Sequence, residues 1–277
     1  NLAELYFESL HGPADPQRFT PMNRTVRAEF QREAGFDPLE LFQPGSPRHW
    51  QRDRDAWRRF ADYRAGLARR LQVHWLETLR SGRPELDLVL THIDDRLDTT
   101  MRDHLGADAA RLLPLLDRLE FTFAIEDPAT LWHLGPDRYP EIARRYAPLT
   151  TRHDKLAVDI NIVERYQDAY PTKKQTGGEL LALVHAAVRS FARVMLYSEH
   201  SIGAADYPLL AAAAAGVTAW DGTVAEATHT SGIRWAGPAT LDGRLWPVAD
   251  VEYVWIPPGR HRLEPTTETS PVRILWV

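Results

Sequence analysis

"DLVLTHIDDRLDTT", residues 87–100, runs from apolar and β-branched positions into a histidine, two adjacent aspartates and a third aspartate at Asp98. Its first half reads as a buried strand. Its second half has two explanations. In open or barrelled parallel α/β sheets the chemistry gathers at the C-terminal ends of the strands, so the acids would line a site. Alternatively Asp94 or Asp98 caps the next helix by accepting N–H groups that its first turn leaves unpaired. One strand does not decide between them, so the rest of the chain has to.

Five apolar runs, 2–7, 86–93, 121–125, 156–162 and 194–197, read as strands. Helical periodicity lies between them. Trp57, Phe60, Leu67, Leu71 and Trp75 fall on one face of a segment ending at Ser81-Gly82. Leu105, Leu112, Leu113 and Leu116 fall on another, and Leu180, Leu181, Val184, Val188 and Phe191 on a third, after Thr176-Gly177-Gly178. The alanines at 211–215 read as one more tightly packed helix. Strand and helix in alternation predict right-handed βαβ units and a parallel sheet. From about residue 217 the texture changes to short runs separated by Asp-Gly, Ser-Gly and Pro-Pro-Gly, which are turn signals at hairpin spacing. The expected organisation is an α/β portion over 1–216 and a small antiparallel β domain over 217–277, with Trp235, Trp246 and Trp255 in the core of the latter.

The strand ends read "LYFES", "THIDD", "FAIED", "VDINIVE" and "LYSEH", so each delivers a carboxylate. Alternation along a strand puts Glu4, Tyr6 and Glu8 on one side, and Asp159 and Asn161 opposite Leu156, Val158 and Ile160. Charged side chains are seldom buried without partners, so a ring of them implies a wet cleft. Several carboxylates suit glycoside hydrolysis, in which one protonates the leaving oxygen and another attacks or activates water. Glu8, Asp94, Glu126, Asp159 and Glu199 are the candidates, and their mutual repulsion is expected to raise at least one pKa. Trp132, Tyr166 and Tyr170 follow the strands as candidate sugar platforms, with Tyr6, Asn161 and His200 as further substrate-binding positions.

The segment after the first strand, "FTPMNRTVRAEFQREAGFDPLELFQPGSPRHWQRDRDAWRRFADYRAGLARRLQVHWLETL", resembles bacterial glycosidase-like proteins with a (β/α)8 TIM barrel, broadly those of clan A. The features that carry this are an F-x-x-x-x-G-x-D-P segment (Phe30, Gly35, Asp37, Pro38) followed by a helix bearing Tyr63 and Arg64. "KLAVDINIVERYQDAYPTKKQTG" and the closing "LDGRLWPVAD" and "IPPGRHRLEP" are similar to parts of the same proteins. Five strands are read where such a barrel has eight, which implies the C-terminal five βα units, with the missing N-terminal part as a partner. If the first strand is the barrel's fourth, the resemblance implies Glu8 as acid/base and Asp159 as nucleophile. Asp94, Glu126 and Glu199 would then be neighbours in the site. Aspartate at 159 departs from the family's glutamate, and Glu164 is the alternative on the following loop.

Two other readings stand beside this one. His92, Asp94, Asp95 and His200 are ligand types for a metal-dependent hydrolase, and "THIDD" resembles the acidic pair of polysaccharide deacetylases. No histidine pair at i and i+4 completes that set, so no metal and no other cofactor are expected. A glycan-binding or assembly module that has lost its chemistry is the non-catalytic alternative. No G-x-S-x-G elbow or phosphate-binding glycine loop occurs. With 33 basic and 38 acidic residues mixed along 277 positions the net charge is -5, which offers nucleic acid no footprint. No apolar run reaches the length of a membrane span. The absence of cysteine excludes disulfides and a thiol nucleophile.

Overall fold

The computed structural model describes residues 1–162, 177–207, 210, 213–214, 219–227, 231–248 and 253–269. The chain is mixed α/β. Strands β1 (Leu88–Ile93), β2 (Phe121–Glu126), β3 (Leu156–Asn161) and β4 (Arg193–Tyr197) form a parallel sheet in the order β1-β2-β3-β4. In β1 and β2, Leu88 pairs with Phe121 and Ile93 with Glu126. Near-continuous burial along β1, β2 and β3 is what a parallel sheet covered on both faces requires.

The chain divides into two compact units, Asn1–Pro128 with Glu141–Ala157, and Ala129–Pro140 with Val158–Val277. The first holds α1 (Arg24–Ala34), α2 (Arg54–Gly82), α3 (Thr100–Leu105), α4 (Ala109–Leu112) and α5 (Leu116–Leu119). Helix α6 (Arg138–Tyr146) begins in the second unit and ends in the first, and α7 (Gly177–Val188) lies in the second.

The F-x-x-x-x-G-x-D-P residues build a scaffold. Asn23 caps α1 through the Val26 N–H, and Gly35 ends the helix in the left-handed conformation at φ 80°. Asp37 and Glu40 then form a reciprocal capping box around Pro38, and Arg27 pairs with the Asp37 carboxylate. Phe30 sits at 4.9–5.2 Å from the rings of Phe36, Phe60 and Tyr63. Arg64, fully buried, donates to the Thr20, Asp103 and His104 carbonyls and to the Ser9 hydroxyl, with its guanidinium 4.0 Å from the Phe19 ring.

Three expectations for the first unit are corrected. Residues 2–7 are not a strand: Leu2 alone bridges in parallel to Leu90, and Glu4 at φ 55° turns the chain away, so Glu4, Tyr6 and Glu8 share no strand face. The leucines at 105–116 do not form one helix, because Gly106 at φ 71° stops α3 and Pro114 sits in a 3-10 turn between α4 and α5. Gly106 also lies where a Cβ would come within 3.1 Å of the Phe7 ring and 3.3 Å of the Arg64 carbonyl. On α2 the apolar stripe is buried only at Trp57 and Phe60, while Leu71 and Trp75 are exposed.

In the second unit, β5 (Ala219–Trp220), β6 (Val224–Ala227), β8 (Ala239–Leu241), β9 (Arg244–Trp246) and β11 (Gly259–Pro265) form a sheet in the order β5-β6-β11-β8-β9. β7 (Ser231–Arg234) pairs with β10 (Tyr253–Ile256), and all of these pairings are antiparallel. Trp255 is buried and Trp235 and Trp246 pack against the apolar cluster, as expected. Ser231-Gly232 is not a turn. It opens β7, because Gly232 must lie under the Trp255 ring, which an added Cβ would meet at 2.2 Å. The helix expected over 211–215 falls largely outside the described residues.

The β8–β9 hairpin closes on Asp242 and Gly243, both at positive φ. Asp242 accepts from the Arg262 N–H at 2.8 Å and lies 2.8 Å from His261 Nδ1. Those contacts, the Arg262 N–H first, hold the Asp242 carboxyl below the usual range, and Asp242 raises the imidazole. The imidazole's contribution to stability is complete below its unfolded value of 6.5 and is lost as pH rises through the higher folded value. The carboxylate's is present above its unfolded value of 3.8 and is lost as pH falls through the lower folded value. Thermal melts from pH 5 to pH 9 should therefore show a loss of stability on the alkaline side that His261→Asn removes, and identical slopes would refute the coupling.

Candidate active site

The acids that end β1 act on the backbone around them. Asp94, fully buried, takes the Arg96, Leu97 and Asp98 N–H groups onto its two carboxyl oxygens at 3.1–3.3 Å. Asp98 accepts from Thr100 N–H and hydroxyl just ahead of α3, whose N-cap position, Thr99, carries no side-chain cap. Asp95 reaches across the unit, accepting the Ala109 N–H at 2.7 Å and the Tyr146 hydroxyl at 3.0 Å, while its own N–H donates to that hydroxyl. His92, also fully buried, lies 3.6 Å from Asp95 Oδ1 and 4.8 Å from the Phe123 ring, with no hydrogen-bond partner on either nitrogen.

Burial rather than crowding sets the electrostatics. Desolvation pushes the Asp94 carboxyl up, and the charge of Asp95 adds only a small part. Asp95 would rise with burial too, but the His92 contact, the Ala109 N–H and Tyr146 outweigh it and leave it below the usual range. Tyr146 is driven far above its ordinary value by burial, then by the charges of Asp95 and Asp94, so it keeps its proton. The cluster is a fastening made of two acids, a phenol and an imidazole. Tyr146 was not singled out by the sequence, where no motif marks its stretch.

The other candidates are placed as follows. Glu126 ends β2, half-buried, level with Ile93, and its carbonyl accepts the Asp94 N–H at 2.8 Å. Asp127 follows it fully buried, a position the sequence reading passed over. Glu8 is exposed on the arm that leaves Leu2, and Tyr6 packs with Leu10 against Ile93, Met101, Leu105 and Ala107. In the second unit, Asp159 is half-buried within β3 and Asn161 is buried at its end. Glu199 and His200 are exposed on a 3-10 turn after β4, where the Glu199 carbonyl accepts the Tyr207 hydroxyl and His200 meets the Ser198 hydroxyl at 2.6 Å. Trp132 is half-buried in the 3-10 segment Ala129–Asp137. Tyr166, Tyr170 and Glu164 lie outside the described residues.

Among the described residues no three of His, Asp and Glu are grouped so as to hold a metal ion, and no helix is long and apolar enough to cross a membrane. His104 Nδ1 meets the Leu10 carbonyl at 3.0 Å. No family model, no curated protein and no solved structure matches this chain.

Proposed function

We propose that the chain is part of a (β/α)8-type glycoside hydrolase acting on a poly- or oligosaccharide through carboxylates borne at the C-terminal ends of its parallel strands. The observation that carries the reading is the sheet order. Strands β1 to β4 follow chain order, and Leu2 adds a parallel bridge to Leu90 in β1. A barrel is wound sequentially, whereas doubly wound sheets reverse their order at a switch point. Glu126 is the carboxylate best placed for chemistry in the first unit, because it stands half-buried at the C-terminal end of β2. Glu8 lacks a strand to fix it.

The test is turnover on a panel of soluble polysaccharides and aryl glycosides. Glu126→Gln should lower kcat by about 10²- to 10⁴-fold, the span of general acid–base catalysis, with the melting temperature unchanged. Glu8→Gln should fall less than tenfold. Equal losses would make Glu8 as much a part of the chemistry as Glu126, and binding without hydrolysis by the wild type would make the chain a glycan-binding module.

A further inference from the structure

We propose that Asp159 carries its carboxyl proton in the folded protein and donates it to the departing sugar, in place of the nucleophilic part that its strand position implies. The inference rests on the glycosidase reading above. Asp159 is the fourth residue of β3, flanked by the fully buried Val158 and Ile160. Its Oδ1 is buried and has no hydrogen-bond partner, and among the described residues neither hydrogen bond nor ion pair reaches the carboxyl. Asp94 and Asp95 in the first unit differ in this respect. Asp94 receives three backbone N–H groups, and Asp95 receives an N–H and a phenol. An anion there would leave its buried Oδ1 without hydration, donor or cation, which favours the protonated carboxyl. Burial pushes the Asp159 pKa up in keeping with this. The residue is half-buried rather than sealed, so the acid can meet a ligand.

The step balances. Asp159 passes its proton to the glycosidic oxygen as the bond from that oxygen to the anomeric carbon breaks. The electron pair stays on the oxygen, which leaves as an alcohol. Water adds to the anomeric carbon and releases a proton, which restores the acid.

Two measurements on the full chain decide it. The first is independent of activity. A carboxyl whose folded pKa lies above its unfolded value of 3.8 gives stability that is complete below 3.8 and lost as pH rises through the folded value. Wild type should show that loss, and Asp159→Asn should lack it and melt no lower than wild type at neutral pH. The second compares leaving groups. Asp159→Asn should lose at least 100-fold in kcat on unactivated glycans but less than tenfold on dinitrophenyl glycosides, whose leaving group departs without a proton. Equal loss on both would make Asp159 a nucleophile, and matching pH–stability slopes would show that it is ionised; either overturns the proposal. If the wild type hydrolyses nothing in the panel, the donor role falls with the functional reading, and the melts alone decide the protonation.

Discussion

Arg64→Met should cost about 4 kcal/mol or more, a drop in melting temperature of roughly 10 °C, because it leaves several acceptors stranded at once. The guanidinium satisfies the Thr20 carbonyl at 2.8 Å, the Asp103 carbonyl at 2.5 Å, the His104 carbonyl at 2.8 Å and the Ser9 hydroxyl at 3.2 Å. Each acceptor left unpaired costs about 1–3 kcal/mol, and methionine can refill the apolar volume between the Phe7 and Phe19 rings but donates nothing. Burial lowers the Arg64 pKa to about 9, so the side chain is still charged at neutral pH. Lysine would restore a point charge without the planar fork and should recover less than half of the loss. A melting temperature of Arg64→Met within about 2 °C of wild type would show that the arm from Ser9 to Thr20 and the last turn of α3 are held by other means.

Asp94→Ala should destabilise by about 2–4 kcal/mol, since the N–H groups of Arg96, Leu97 and Asp98 lose their acceptor together. Asp94→Asn keeps one oxygen and removes a buried charge, and should cost about 1 kcal/mol. Below its melting range the asparagine variant should keep turnover on any glycan substrate within tenfold, because Asp94 acts through the turn it ties and through its N–H to the Glu126 carbonyl. A loss of 100-fold or more at unchanged melting temperature would instead place Asp94 in the chemistry. Thermal melts and steady-state rates on the same preparations separate the two.

The sequence of 87–100 thus made the strand legible and left the purpose of the acids open. The apolar runs of β1, β2 and β3 could be read because burial on both faces leaves an unbroken β-branched and aromatic signature, and β4 could be read from its short apolar run although none of its residues is buried. Residues 2–7 carry a similar composition, yet one positive φ at Glu4 ends the pairing after Leu2, and propensity gives no notice of that. Asp-Gly at 242–243 announced its hairpin because only that turn suits it, whereas Ser231-Gly232 looked the same and is dictated by an indole that approaches from β10. The candidate site was legible as a list of acids, not as a geometry. Whether an aspartate meets backbone N–H groups, a phenol 51 residues away or nothing at all is set by tertiary approach, as Asp94, Asp95 and Asp159 show in turn.

Strand β11 pairs with β6 through Gly259 to Arg262 and with β8 through Leu263 to Pro265. It is therefore a splint joining two hairpins, β5-β6 and β8-β9, each too small to persist alone in water. Neither hairpin can open without parting from that shared strand, so their amides should exchange with solvent together, in one cooperative opening. The order of synthesis makes this a matter of timing as well. Both hairpins leave the ribosome before their splint does, and the five-stranded sheet acquires its stability only when the stretch from Gly259 to Pro265 arrives.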